Sequence, residues 1–264
     1  METGSIEKVE TLLRWKHPEL GLVSPDLFVN IAEHAGSIKE IGRWVIEKSC
    51  HQLRIWQKNG HPNLKISINL SAIQFYEKNL VDEIVKIVRE EGLFPHDIVF
   101  ELTETALLKK YTYITEAIYG LHNAGFMIAL DDFGTGYSSL SYLQNFPIGL
   151  IKIDRSLMAD FPSNIHSVSI VSGLIGLCHN IDISVVCEGV EHETQLSTLS
   201  DLGCDAVQGY FISKPLPARE MTTYLASTKS RQLVHKAKAS QTMHHGTQSS
   251  SLLVDILNTP ESLS

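Results

Sequence analysis

Seven short, mostly apolar runs of β-forming residues recur along the chain, with amphipathic helical stretches between them. This alternation constrains the fold more than any other feature. The runs are Lys8–Arg14, Lys65–Leu70, Ile98–Leu102, Met127–Leu130, Leu150–Ile153, Ser184–Cys187 and Ala206–Phe211. Most are nearly continuous in apolar residues, as suits strands of a parallel sheet covered on both faces. Helix signals fall between them. Ser24 followed by Pro25 reads as an N-cap with proline in the first turn, and Leu27, Phe28, Ile31 and Ala32 form a stripe ending at Gly36. Leu80, Ile84, Ile87 and Val88 form a second stripe, stopped near Gly92. Repeated β–α units with right-handed crossovers predict an α/β fold, either an eight-stranded barrel or a doubly wound sheet of about five to seven strands.

A second regularity lies at the strand ends. Glu10 is in the first run, Asn69 near the end of the second, Glu101 near the end of the third, and Asp131 with Asp132 just after the fourth. Lys152 and Asp154 close the fifth, Glu188 the sixth, and Gln208 lies in the seventh. The C-terminal rim of such strands is where barrels and open α/β sheets build their sites. Taken singly, a carboxylate after a strand is more often a helix cap or a solvated loop residue, and Lys152 reads equally as an edge-strand lysine. Seven polar groups in register at one rim are hard to explain that way. Converging carboxylates repel unless protonated or neutralised by cations. Oxygen donors with one amide, and no His or Cys, favour Mg²⁺ or Mn²⁺ over zinc. The adjacent Asp131 and Asp132 suit a carboxylate bridging two ions, and two ions about 3.5–4 Å apart suit phosphodiester hydrolysis. Lys152 adds one positive charge for a water nucleophile or a transition-state oxygen.

The stretch from Asp131 to Leu140 contains Gly134, Gly136 and Ser139, a near miss for a dinucleotide fingerprint. Two aspartates ahead of the turn would repel a pyrophosphate, and a P-loop would need the missing Gly-Lys-Ser/Thr ending. A glycine-containing loop beside a metal pair, able to close over substrate or report to a partner, fits better.

Composition bounds the function. The 264 residues carry 22 Lys+Arg against 30 Asp+Glu, a formal charge of −8, which argues against a general nucleic-acid binder. No run approaches the ~20 apolar residues of a membrane span, and Met1–Val9 lacks the apolar core of a signal peptide. Cys50, Cys178, Cys187 and Cys204 form no C-x-x-C pair, so reduced thiols in a cytoplasmic protein are expected. From Ser227 the periodicity stops. Residues 1–226 read as the folded domain and 227–264 as a polar, disordered tail, with Leu252–Leu257 able to form one docking turn.

In combination these motifs resemble the EAL-domain cyclic di-GMP phosphodiesterases. The resemblance runs from Gly4 to Leu225 through Glu10-Thr11-Leu12-Leu13-Arg14-Trp15, Asn69-Leu70-Ser71, Glu101-Leu102-Thr103-Glu104, Asp131-Asp132-Phe133-Gly134-Thr135-Gly136, Lys152-Ile153-Asp154, Glu188-Gly189-Val190-Glu191 and Gln208-Gly209-Tyr210-Phe211. It implies a TIM-like (β/α)8 barrel with one antiparallel strand. It implies one metal on Glu10, Asn69, Glu101 and Asp131, with Asp131 shared and Asp132 on a second ion. Lys152 would orient the attacking water, and Glu188 would be a general base or second-metal ligand. Leu12, Arg14, Asp154, Glu191 and Gln208 would line the substrate site, with Arg14 on a phosphate. Glu104 would brace the loop of Phe133, Gly134, Thr135 and Gly136, which in the family links the active site to a dimer interface. The implied reaction is hydrolysis of cyclic di-GMP to linear pGpG in bacterial signalling. A non-catalytic cyclic di-GMP receptor or interaction module is the alternative.

The signature here reads Glu-Thr-Leu rather than Glu-Ala-Leu, a change that suits a strand. Family members also carry a helix and a strand before it, and Met1–Val9 is too short for both. The barrel is therefore expected to lack its first helix and strand, leaving an open seam for a partner, a domain swap or the tail.

Overall fold

The computed structural model describes residues 6–108, 112–134, 141–227 and 249–258. The chain begins with β1 (Ile6–His17), β2 (Gly21–Val23), α1 (Pro25–Ala35), α2 (Ile38–Lys58), β3 (Lys65–Asn69) and α3 (Leu80–Glu90). It continues through β4 (Ile98–Thr103), α4 (Glu104–Leu108), α5 (Thr112–Asn123), β5 (Met127–Phe133), α6 (Ser141–Asn145) and β6 (Leu150–Ile153). The remainder comprises α7 (Ile165–His179), β7 (Ser184–Cys187), α8 (Glu193–Asp201), β8 (Ala206–Val207), β9 (Leu216–Pro217), α9 (Ala218–Ala226) and β10 (Ser249–Asn258). Strands β1, β3, β4, β5, β6, β7 and β8 pair in that order, all parallel, and β10 lies parallel against β8 and β1. The expected α/β architecture is present as a curled eight-stranded sheet with helices around it, consistent with a distorted barrel.

Strand alternation explains both faces of this sheet. Ile66 and Ile68, Ile98 and Phe100, Ile128 and Leu130, Ile151 and Ile153, and Val185 and Cys187 join the large apolar cluster shared with the helices. The alternate residues Val99, Ala129, Leu150, Val186 and Ala206 form a separate small cluster on the inner face. Two residues further along the chain come Glu101, Asp131 and Lys152 within their strands, and Glu188 and Gln208 just past theirs. One periodicity thus supports a polar set above an apolar floor. Outside the sheet, the buried Trp56 of α2 donates through Nε1 to Thr222 Oγ1 of α9 at 2.8 Å.

Several expectations need adjustment. The second helix stripe is fully buried at Leu80, Ile84, Ile87 and Val88, but the first buries only Phe28 and Ala32. Leu27 and Ile31 are exposed, because α1 touches the body along a narrower line than the apolar stripe allows. The seventh strand is short: β8 ends at Val207, so Gln208 follows the strand rather than lying within it. Among the described strands the antiparallel partner is β2, a short hairpin extension of β1. Ser249–Asn258, inside the stretch expected to lack regular structure, forms β10 instead of a docking turn, because β1 and β8 offer it backbone partners. No helix among the described residues is long and apolar enough to cross a membrane.

Candidate metal centre

Lys152 is the hub of the inner polar face. Its Nζ lies 2.8 Å from Glu101 Oε2, 2.8 Å from Glu188 Oε1, 3.1 Å from Glu10 Oε2 and 3.2 Å from Asp131 Oδ1. Only 1% of the lysine side chain is exposed. Burial alone would lower its pKa, but the surrounding carboxylates reverse that and hold it well above the ordinary lysine value.

The carboxylates divide by environment. Glu10 accepts from Asn69 Nδ2 at 3.1 Å and Gln208 Nε2 at 2.8 Å. Burial pushes its pKa up, but Lys152 and these two amides outweigh it and leave the value below the ordinary one. Glu101 is raised to about 7, first by burial and then by Glu10. Asp131 is raised to about 7 by burial, with Glu188 and Glu10 adding repulsion against Lys152. Glu188 is likewise raised to about 7, chiefly by burial.

This arrangement fits a divalent cation. Glu10, Glu101 and Asp131 each offer an oxygen, and the three lie within 4.8 Å of one another. Glu101 Oε1 is buried without a hydrogen-bond partner, a donor-poor acceptor of the kind a cation satisfies. Asn69 stands beside Glu10 as an amide oxygen source. The donor set is oxygen only, as Mg²⁺ or Mn²⁺ prefers. One site is supported by this cluster.

Asp132 is not part of the triad. It is exposed, with φ +57°, at a point where the β5–β6 register slips between Leu130 and Phe133. Burial raises its pKa, followed by repulsion from Asp154. The slip and the left-handed backbone fall where the two consecutive aspartates part, Asp131 buried in the cluster and Asp132 exposed.

The other expected site residues spread around this centre. Leu12 and Arg14 continue β1 past Glu10 and are half-buried, with Arg14 Nη1 donating to Leu13 O at 2.9 Å. Asp154 caps the short helical turn that follows β6, accepting from Ser156 N at 2.9 Å. Glu191 is exposed, with its backbone N–H donating to Gln195 Oε1 at 2.8 Å. Gln208 is buried and turned to Glu10. Glu104 is buried at the start of α4, and Phe133 is buried beside the exposed Gly134. Thr135 and Gly136 lie outside the described residues.

Local backbone chemistry holds two rim groups together. Gly189 and Gly209 follow Glu188 and Gln208, and a Cβ at Gly209 would sit inside the Val190 backbone. That close approach lets Val190 N donate to Gln208 O at 3.1 Å and Phe211 N to Val190 O at 2.9 Å. Two residues escaped the sequence reading. Lys8 is 8% exposed and shares the inner face with Glu10, while Ser67, paired in register with Glu10, buries an unpartnered Oγ. The signal was present in the period of two: Lys8 precedes Glu10 by two residues and Ser67 precedes Asn69 by two. A cavity of about 600 Å³ opens at the N-terminal ends of the strands, lined by Lys8, Lys65, Met127 and Ala206, and it holds no carboxylate cluster comparable to the rim.

Known proteins share this architecture. The family profile described as "EAL domain" matches residues 1–215. The chain is 37% identical over 223 residues to the bifunctional diguanylate cyclase/cyclic di-GMP phosphodiesterase MucR of Pseudomonas aeruginosa, covering 84% of this chain and 33% of that protein. It is 36% identical over 222 residues to the cyclic di-GMP phosphodiesterase NbdA of the same organism, covering 84% and 28%. This chain therefore spans about a third of the length of these curated relatives. Among solved structures, the PaMucR phosphodiesterase in complex with c-di-GMP superposes with a TM-score of 0.77 at 37% identity, covering 83% of this chain and 89% of that one. The cAMP-bound EAL enzyme Bd1971 gives 0.78 at 34% identity, covering 84% and 62%. Carboxylates gathered on a buried lysine, reached independently through strand periodicity, are thus set in a scaffold that sequence and structure comparison both recognise, and the chain belongs to the EAL-domain family.

Proposed function

We propose that this chain hydrolyses one phosphodiester of cyclic di-GMP to give linear pGpG, as a metal-dependent, cyclic-guanylate-specific phosphodiesterase. The observation that carries this reading is the convergence of Glu10, Glu101, Asp131 and Glu188 on Lys152, in a chain 37% identical to a cyclic di-GMP phosphodiesterase. The scaffold is read as an EAL-type (β/α)8 barrel. Glu10, Asn69, Glu101 and Asp131 would hold Mg²⁺ or Mn²⁺, and Asp132 with Glu188 would serve a second ion. Such ions supply Lewis-acid charge for a phosphoryl oxygen and acidity for water.

The chain's own groups then have defined work. Glu188, with its pKa near 7 and its Oε1 held by Lys152, is placed to accept a proton from an attacking water. Lys152 keeps a permanent positive charge beside the same water and stabilises negative charge developing on oxygen. Arg14, further along β1, takes a substrate phosphate, while Leu12, Asp154, Glu191 and Gln208 frame the nucleotide. Glu104 and the loop from Phe133 to Gly136 relate the centre to a second copy of the chain. The site's catalytic chemistry suits a cytoplasmic second-messenger enzyme.

The test is chromatographic detection of pGpG after incubating the purified chain with cyclic di-GMP and millimolar Mg²⁺ or Mn²⁺. Product with one metal, abolished by EDTA, is the expected result. Cyclic di-GMP binding without product under either metal would favour the receptor reading.

A further inference from the structure

We propose that the slot between β1 and β8 is a parallel-strand acceptor that Ser249–Asn258 fills as a detachable latch, and that filling it holds Glu10 and Gln208 within reach of each other. The proposal rests on the metal-centre reading above and adds a means of controlling it.

Without β10, the part of β1 before Trp15 would be paired on one edge, by β3, and β8 on one edge, by β7. The facing edges would leave backbone donors and acceptors bare beside the inner face. β10 runs along β1 from the Ile6–Ser250 pair to the Arg14–Asn258 pair, and it meets β8 at Ala206 and Val207. It also passes against α2 and α9, the two helices joined by Trp56 and Thr222.

The pairing is of unequal quality. The β1–β3 ladder is continuous from Lys8 to Thr11, whereas the β1–β10 ladder slips between Ile6 and Lys8 and again between Thr11 and Leu13. Each slip costs local hydrogen bonding, so the β1–β10 ladder, though the longer of the two, is the irregular one. Only two positions of β8 engage it. β9 adds two further pairs, Val254 with Leu216 and Asp255 with Pro217. β10 is thus held by one long irregular ladder and two short ones, and a strand held in this way is the part of such a sheet that opens first.

The slot is also next to the chemistry. Glu10 pairs in register with Leu253, and Gln208 directly follows the β8 residue paired with Ser250. The Gln208–Glu10 hydrogen bond of 2.8 Å spans the slot from one bordering strand to the other. Opening the latch would admit water beside Glu10 and release β8 from β1, weakening a metal site that depends on Glu10. By linkage, metal binding must favour the filled slot to the same degree.

Amide hydrogen exchange on the full chain, with and without Mg²⁺, reads the latch directly. Slow exchange across Ser250–Leu257, slowed at least ~5-fold further by millimolar Mg²⁺, is expected. Exchange at the rate of an unstructured peptide in both conditions would overturn the proposal. A chain ending at Ser227 should lose thermal stability and bind Mg²⁺ at least ~10-fold more weakly, with recovery when a Ser249–Asn258 peptide, and not its scrambled version, is added. If that chain does not fold, Val254→Pro in the full chain removes one backbone donor and should speed exchange in Lys8–Thr11. Unchanged exchange there would refute the pairing. A dimer that disappears on truncation would assign the slot to a neighbouring copy's strand and overturn the intramolecular latch. The exchange readout needs no substrate. A chain that protects β10 yet makes no pGpG would sink the proposed function alone, and one that makes pGpG with β10 unprotected would sink the latch alone.

Discussion

Lys152 and Glu101 meet at 2.8 Å with their side chains 1% and 0% exposed, so neither charge can be relieved by water. Removing one member of a buried pair strands the other and costs about 3–5 kcal/mol. Lys152→Met should therefore lower the melting temperature at neutral pH, and millimolar Mg²⁺ should recover part of it by replacing the lost positive charge. Turnover of cyclic di-GMP should fall at least ~10²-fold. Calorimetry with a Mg²⁺ titration checks the first expectation, and a variant as stable and active as the parent would contradict the hub role.

The same carboxylates predict a pH dependence with a definite sign. Glu101, Asp131 and Glu188 stand near 7 in the folded chain, against about 4 when unfolded. Folding thus favours their protonated forms. Their contribution to stability is fully present below about pH 4 and is lost as pH rises through about 7. Glu10, shifted down, acts in the opposite sense. Glu101→Gln removes one raised group while keeping its shape. In the presence of EDTA, the stability of wild type relative to this variant should decline between about pH 4 and 7. A difference that grows with pH over that window would contradict the assignment.

The rim was legible in the sequence because a strand end and a polar residue are both local signals. Glu10, Asn69, Glu101, Asp131, Lys152, Glu188 and Gln208 each lie within or just after a strand-forming run, and a parallel sheet brings equivalent positions of its strands to one side. What was not legible depends on partners distant in the chain. Ser249–Asn258 carries strand-forming Leu, Val and Ile among serines, but its identity as β10 comes from edges on β1 and β8. Leu27 and Ile31 share a helical stripe with Phe28, and only the narrow contact of α1 decides which of them is covered. Asp132 adjoins Asp131 in the sequence, and the burial of one and exposure of the other come with a register slip and a left-handed backbone that no local signal announces.

Gly209 shows how backbone approach supports the centre without any side chain. Any Cβ there meets the Val190 backbone, so the Glu188–Val190 segment and Gln208 must part for it to fit. Gly209→Ala should destabilise the chain by about 1–3 kcal/mol. It should also weaken Mg²⁺ binding, because Gln208 would lose its aim at Glu10. Gly203→Ala is the control, since Gly203 also has a positive φ, +77° against +159° at Gly209, but has open space around it. Mg²⁺ affinity reduced equally in both variants would show that backbone strain, and not the Val190 contact, is responsible.

Lys8 introduces a second cation beside the ring. Burial is the main influence on it and lowers its pKa, while Glu101, Glu10 and Asp131 pull the other way and Lys152 opposes them. Its amine therefore acts on the same carboxylates that a metal would engage, and a nearby positive charge disfavours a divalent cation through Coulomb repulsion. Lys8→Met keeps much of the side-chain length and removes the amine. The Mg²⁺ concentration giving half of the maximal rise in melting temperature should then fall about 3–10-fold, a range set by partial dielectric screening. Thermal melts across a Mg²⁺ series measure this directly, and repeating them with Ser67→Ala separates charge from packing, since Ser67 lies on the same inner face without a charge. A midpoint that stays fixed or rises in Lys8→Met would show that the amine helps to assemble the carboxylates and does not compete with the ion.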